Sequence, residues 1–103
     1  MAAKVAAELS GNEGFGVGNY PNPFNPTTTI VYTLSEEAPV RLSIYNMLGQ
    51  RVRVLVENVQ GPGSYGMEWD SADELGHQVG AGIYFYRLEA GPQVAVGKML
   101  LVR

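Results

Sequence analysis

Trp69–Gly91, WDSADELGHQVGAGIYFYRLEAG, decides how the rest of the sequence is read. It runs from a strand end through an acidic turn and a glycine-flanked hinge into Ile83-Tyr84-Phe85-Tyr86-Arg87-Leu88, the most aromatic strand of the chain. Asp73 to Gly76 supplies turn chemistry on one side and Gly91-Pro92 breaks the chain on the other, so both ends of that strand are set. Ile83–Ala90 is apolar on both faces, which is the expectation for a central strand covered on each side.

Strand patterns continue outward in both directions. Downstream, Gly91-Pro92 turns the chain into Gln93–Val102, where Val94, Val96, Leu100 and Val102 share one parity and Met99 and Leu101 interrupt it. This apolar closing strand either completes the sheet or docks on a partner. Upstream, Tyr65, Met67 and Trp69 face one way, with Ser64, Gly66 and Glu68 opposite. Asn58–Gly63 forms a turn before them, and Val52, Val54 and Val56 make one face of the preceding strand, with Arg51 and Arg53 outward. Asn46-Met47-Leu48-Gly49 suits a type I turn with glycine in the left-handed position. Val40, Leu42 and Ile44 then oppose Arg41, Ser43 and Tyr45, and Ile30, Tyr32 and Leu34 alternate with Thr29, Val31 and Thr33. Ser35–Pro39 separates these two strands.

Ahead of them lies Tyr20-Pro21-Asn22-Pro23-Phe24-Asn25-Pro26, a stiff, non-helical lead-in whose rings, Tyr20 and Phe24, are placed to cap the end of a core. Gly11–Asn19 holds four glycines and reads as a linker, with Phe15–Tyr20 left as an alternative edge strand. Residues 1–10 are Ala-rich and suit a short, marginal helix. Six strands are set by pattern, and a seventh falls in Phe15–Tyr20 or Gln78–Val79. The expected class is an all-β antiparallel sandwich. Residues 1–19 are a linker and 20–103 the folded domain.

Composition narrows the function. At 103 residues, 46% hydrophobic and 17% charged, the chain suits one globular domain. Its net charge is −3 and its seven Lys and Arg are scattered, so neither nucleic acid nor a polybasic membrane contact is expected. No apolar run approaches the ~20 residues of a transmembrane helix. Met1–Leu9 is too short for a secretory signal, which in an exported protein would lie upstream. Cysteine is absent, which removes disulfides, thiolate metal sites and Cys nucleophiles.

Little catalytic equipment is visible. The single histidine, His77, sits in a turn without a nucleophile or orienting partner in reach of its spacing. Asp70, Asp73 and Glu74 are candidate calcium ligands, since calcium gathers several carboxylate oxygens. Their spacing differs from the alternating loop such sites use, and turn chemistry at Asp73 and Gly76 accounts for each residue without an ion. Trp69, Tyr65, Tyr84 and Tyr86 read either as core or as a sugar-stacking platform. No enzyme activity and no cofactor are expected.

The stretch YPNPFNPTTTIVY, Tyr20–Tyr32, resembles the opening signature of the type A C-terminal sorting domains of the type IX secretion system. Leu42–Val52, Trp69-Asp70 with Asp73 and Gly76, Gly82–Leu88 and Lys98–Val102 resemble later parts of the same family, in the same order. The resemblance implies an Ig-like antiparallel β-sandwich of about seven strands at the C-terminal end of a larger exported protein. It also implies partners: the outer-membrane translocon, a sortase-like peptidase that cleaves within Gly11–Asn19, and an N-terminal passenger. The protein would then reach the surface of a Gram-negative bacterium through the periplasm. Gly82, Tyr84, Gly97 and Lys98 are the recognition residues the resemblance carries over. The Trp69–Leu88 segment also resembles the Ig-like domain of flagellar hook-capping proteins, which scaffolds hook assembly. A carbohydrate-binding or cell-attachment module is the remaining alternative.

Overall fold

The computed structural model describes residues 16–103. The expected helix in residues 1–10 and the linker reading of residues 11–15 lie outside the described residues. Seven strands follow one another: β1 (Val17–Tyr20), β2 (Thr28–Leu34), β3 (Ala38–Tyr45), β4 (Arg51–Gln60), β5 (Gly63–Trp69), β6 (Gly82–Ala90) and β7 (Gln93–Leu101). They form a three-stranded sheet, β1-β2-β5, and a four-stranded sheet, β4-β3-β6-β7, with every pairing antiparallel. The all-β Ig-like sandwich expected from the sequence is the fold observed.

The seventh strand is Val17–Tyr20, which pairs with Thr29–Tyr32. Val17–Asn19, assigned to the linker from the sequence, therefore belong to the sandwich, and Val17 is buried in its core. Gln78 makes only an isolated bridge with Ala72.

Alternation decides β2 and most of β3. Ile30, Tyr32 and Leu34 are buried while Val31 is exposed, and Val40, Leu42 and Ile44 are buried opposite exposed Arg41. Fully burying such a side chain contributes roughly 1.5–3 kcal/mol. Strand β3 also includes Ala38 and Pro39, read from sequence as a break; Pro39 sits at the strand's end, where its carbonyl accepts from the Gly91 N–H (2.9 Å).

Strand β4 departs from its sequence pattern. Its register with β3 shifts twice, passing over Leu55 and Val52. Each extra residue reverses which face the following side chains occupy. Val56 stays in the core opposite Leu42, Leu55 and Val52 pack against its margin, and Val54 falls opposite Ser43 on the outer face. The single Val52-Val54-Val56 face does not form.

Strand β7 faces the other way from its apolar pattern. Ala95, Met99 and Leu101 are buried, while Val94, Val96 and Leu100 are exposed. The inward face of neighbouring β6 carries Tyr84, Tyr86 and Leu88; Met99 stands opposite Tyr84, and the small Gly97 and Ala95 stand opposite Tyr86 and Leu88. Strand β6 is central in its sheet, as expected, but its second face is open among the described residues, with Ile83 and Phe85 half-buried there.

Between β1 and β2 the chain changes sheets. Phe24 forms a parallel bridge with Leu101, its N–H donating to the Leu100 carbonyl (2.9 Å) and its carbonyl accepting from the Val102 N–H (2.9 Å). The proline-rich lead-in thus joins the four-stranded sheet beyond β7. Phe24 is buried against Trp69, with ring centroids 5.8 Å apart. Tyr20, expected to cap the core as well, is 80% exposed.

Candidate functional site

Trp69 is the centre around which the candidate residues of the sequence are arranged. It is fully buried, its indole N–H donates to the Ala72 carbonyl (2.9 Å), and its ring contacts Phe24 on one side and Tyr84 edge-on on another (5.4 Å). Tyr84 and Tyr86 are buried as well, and Tyr65 is half-buried, stacked on Tyr32. These four aromatics therefore do not form the exposed stacking platform considered from sequence.

The acidic turn folds back as a small loop beneath Trp69. Asp73 Oδ1 accepts from the N–H groups of Leu75 and His77 (2.9 Å each), and the Gly76 N–H donates to the Asp73 carbonyl (3.0 Å) at a left-handed glycine. These N–H bonds, that of His77 first, hold the Asp73 carboxyl below its ordinary value. Asp70 Oδ1 accepts from the Ala72 N–H (3.1 Å) and lies 3.7 Å from Arg53. Glu74 reaches away to the edge of β4, where its carboxylate accepts from the Val54 N–H (2.7 Å). The three candidate calcium ligands thus serve three separate backbone sites, and among the described residues no acidic cluster suited to a metal forms. His77 is an exposed turn residue.

Ser71 closes the loop against the lead-in. It is a buried residue at φ 68°, a left-handed conformation rare without glycine, and its hydroxyl donates to the Pro26 carbonyl. The Val79 N–H donates to the Ser71 carbonyl (2.8 Å). Arg103 reaches the same loop, its guanidinium donating to Val79 and Gln78 oxygens.

The four recognition candidates lie on the adjacent strands β6 and β7. Gly82 opens β6 at φ 147°, where an L side chain is strained. Tyr84 points inward, its hydroxyl donating to the Gly80 carbonyl (2.7 Å); burial raises its phenol, against an opposing effect of Arg103. Gly97 lies under Tyr86, so closely that a Cβ there would overlap the phenol ring. Lys98 alone of the four presents an exposed side chain, on the outer face opposite Phe85. Fold requirements thus account for Gly82, Tyr84 and Gly97, and the Lys98 side chain is exposed.

The residue that sequence reasoning passed over is Asn22. Its side chain imitates a strand at the free edge of β7: Nδ2 donates to the Lys98 carbonyl (3.2 Å) and Oδ1 accepts from the Leu100 N–H (3.0 Å). Its place between two prolines was the available signal, since proline cannot offer the N–H such an edge needs. Lead-in, acidic loop and closing strand thereby meet at one end of the sandwich.

The sequence model of the FlgD Ig-like domain matches residues 24–93. Comparison with curated proteins returns no match. Among solved structures, Porphyromonas gingivalis PorU superposes with a TM-score of 0.68 at 23% identity, over 84% of this chain and 9% of that one. PorZ, described as an essential bacterial surface component of the type-IX secretion system of Porphyromonas gingivalis, gives 0.60 at 22%, over 96% and 12%. Xanthomonas campestris FlgD, described in connection with hook capping, gives 0.59 at 19%, over 94% and 71%. At these identities the likeness is one of fold, and the chain spans about a tenth of the two Por proteins.

Proposed function

The chain belongs to the FlgD Ig-like domain family, and from that premise we propose that it is a non-catalytic C-terminal sorting module, which directs an exported passenger through the type IX outer-membrane translocon to the cell surface. The observation that carries this reading is the lead-in. Tyr20–Tyr32 resembles the opening signature of the sorting domains, and its Asn22 and Phe24 are seated on the closing strand, so this stretch is built into the fold. The shared fold with PorZ, itself a type-IX component, adds support. In this reading Lys98 and the surrounding β6–β7 surface meet the translocon. The sortase-like peptidase cleaves upstream of Val17, because Val17–Asn19 are held in β1.

The test is export. Residues 11–103 fused to a periplasmic reporter in a type IX–competent host should carry it to the surface, and retention in the periplasm would overturn the reading.

A second reading is a scaffold domain like that of hook-capping proteins, favoured by the family match itself. It predicts ordered self-assembly of the purified chain and flagellar genes beside its own, and no surface display of the reporter.

A further inference from the structure

Strands at the margin of a sheet expose unpaired N–H and C=O groups, and folded proteins protect them with charge, bulges, shortness or cover. Most margins of this sandwich are protected. Strand β1 is four residues long. Strand β4 has two register shifts, carries Arg51, Arg53 and Glu57, and has its Val54 N–H taken by Glu74. Strand β5 contains Gly63 and Gly66, which offer no side chain, and carries Glu68.

Strand β7 is divided. Asn22 and Phe24 cover its C-terminal half through the N–H or C=O groups of Lys98, Leu100 and Val102. Those groups therefore turn away from β6, and by the alternation of a strand so do the backbone groups of Val94 and Val96. Among the described residues no hydrogen bond is made to this N-terminal half of the edge, although β1 comes close to β7. Gln93-Val94-Ala95-Val96-Gly97 has no charge and no proline, its register with β6 is unbroken, and Val94 and Val96 are 44% and 42% exposed.

We propose that the Gln93–Gly97 half of the β7 edge is a strand-addition site for an extended, uncharged, β-branched segment of a partner polypeptide. The added strand continues the line already begun by Asn22–Phe24 and stops at Asn22. Its chemistry follows from the surface beside it. A cavity of about 270 Å³ lined by Tyr45, Met47, Phe85, Arg87 and Val96 adjoins the edge, and its polar rim is already engaged. Asn46 bonds the backbone of its own turn, and Arg87 lies 3.3 Å from Glu89. What remains to offer is apolar surface and backbone hydrogen bonds. So short an edge falls well below the roughly 800 Å² per partner of a standard interface, so a second copy joined here alone would not hold. The proposal stands apart from the sorting reading and can fail without it.

The experiment is an NMR titration of the isotope-labelled 103-residue chain with a blocked Thr-Val-Thr-Val-Thr peptide and its N-methylated counterpart. The unmodified peptide should give saturable amide shifts centred on Val94, Ala95 and Val96 and slow exchange at Val94 and Val96. N-methylation should abolish both. Val96→Pro removes an outward donor without breaking the ladder to β6, and should weaken binding about tenfold with Trp69 fluorescence unchanged. Absence of saturable shifts, shifts elsewhere, or equal binding by the N-methylated peptide would overturn the proposal. So would slow Val94 and Val96 exchange in the peptide-free chain, which would mean that residues 1–15 or a second copy already occupy the edge.

Discussion

The phenol of Tyr86 occupies the space that a side chain at Gly97 would need, so the two residues, register partners on β6 and β7, share one volume. A methyl group at Gly97 must displace either the ring or the strand.

Gly97→Ala should therefore destabilise the fold by about 1–3 kcal/mol, the range for overpacking a filled core. The clash, rather than a general intolerance of side chains in β7, is tested by a double-mutant cycle in chemical denaturation. Adding Gly97→Ala to Tyr86→Ala should cost much less than adding it to the parent chain. Strict additivity would remove the clash as the cause.

Alkaline titration should report the same ring. Burial pushes the Tyr86 phenol from 10.0 up to about 12. Below pH 10 the folded and unfolded chains both keep this proton, and the burial has no pH-dependent cost. Between the two values the unfolded chain ionises first, so stability should fall by about 1.4 kcal/mol per pH unit. Tyr86→Phe should flatten that part of the profile; Tyr32 and Tyr84, raised in the same direction by burial, account for any slope that remains. At the acid end the sign reverses. Asp73 is held below its ordinary value, so its contribution is present above the usual carboxylate range and lost as pH falls through the lowered value.

Glu74 closes part of the β4 edge with a side chain in place of a strand. Glu74→Ala should speed hydrogen exchange at the Val54 amide while changing global stability by less than about 1 kcal/mol, as for one solvent-competed hydrogen bond. An unchanged Val54 rate would show that the carboxylate does not protect the edge.

Ser43 makes the opposite kind of prediction. Its hydroxyl is buried without a hydrogen-bond partner among the described residues, between Val54 and Arg87 on the neighbouring strands. Ser43→Ala removes the unpaired group at little cost in volume and should stabilise the chain by about 0.5–1 kcal/mol. A lower denaturation midpoint would show that the hydroxyl is satisfied after all.

The parts of the fold legible in the sequence are those where one residue's face depends only on its neighbours in the chain. Strand β2 is the clear case: Ile30, Tyr32 and Leu34 alternate and are buried. So is the Asp73–Gly76 turn, whose hydrogen bonds are all local. Strand β4 was misread because its two shifts are set by pairing with β3, and a run such as Val52–Val56 is apolar at nearly every position whichever face it presents. Strand β7 does not show its inward face in the sequence, because Ala95 and Gly97 fit beside Tyr86 and Leu88 and hydrophobicity alone ranks Val94 and Val96 above them. At the site, the recognition candidates came from resemblance, and packing explains three of them without a partner. Asn22 was invisible because its pairing is made by a side chain, which has no period.

The exchange of sheets at Asn22–Phe24 also dictates when this domain can become whole. Phe24 finds its hydrogen bonds on Leu100 and Val102, nearly the full described chain away. Contacts of such sequence separation make folding slow, because chain closure must precede the contacts that reward it. During synthesis the seat for Phe24 does not exist until β7 has emerged, so until then Phe24 waits as an exposed aromatic ring. The domain therefore stays open until β7 is made, and Leu100 and Val102 act as the bolt that shuts it.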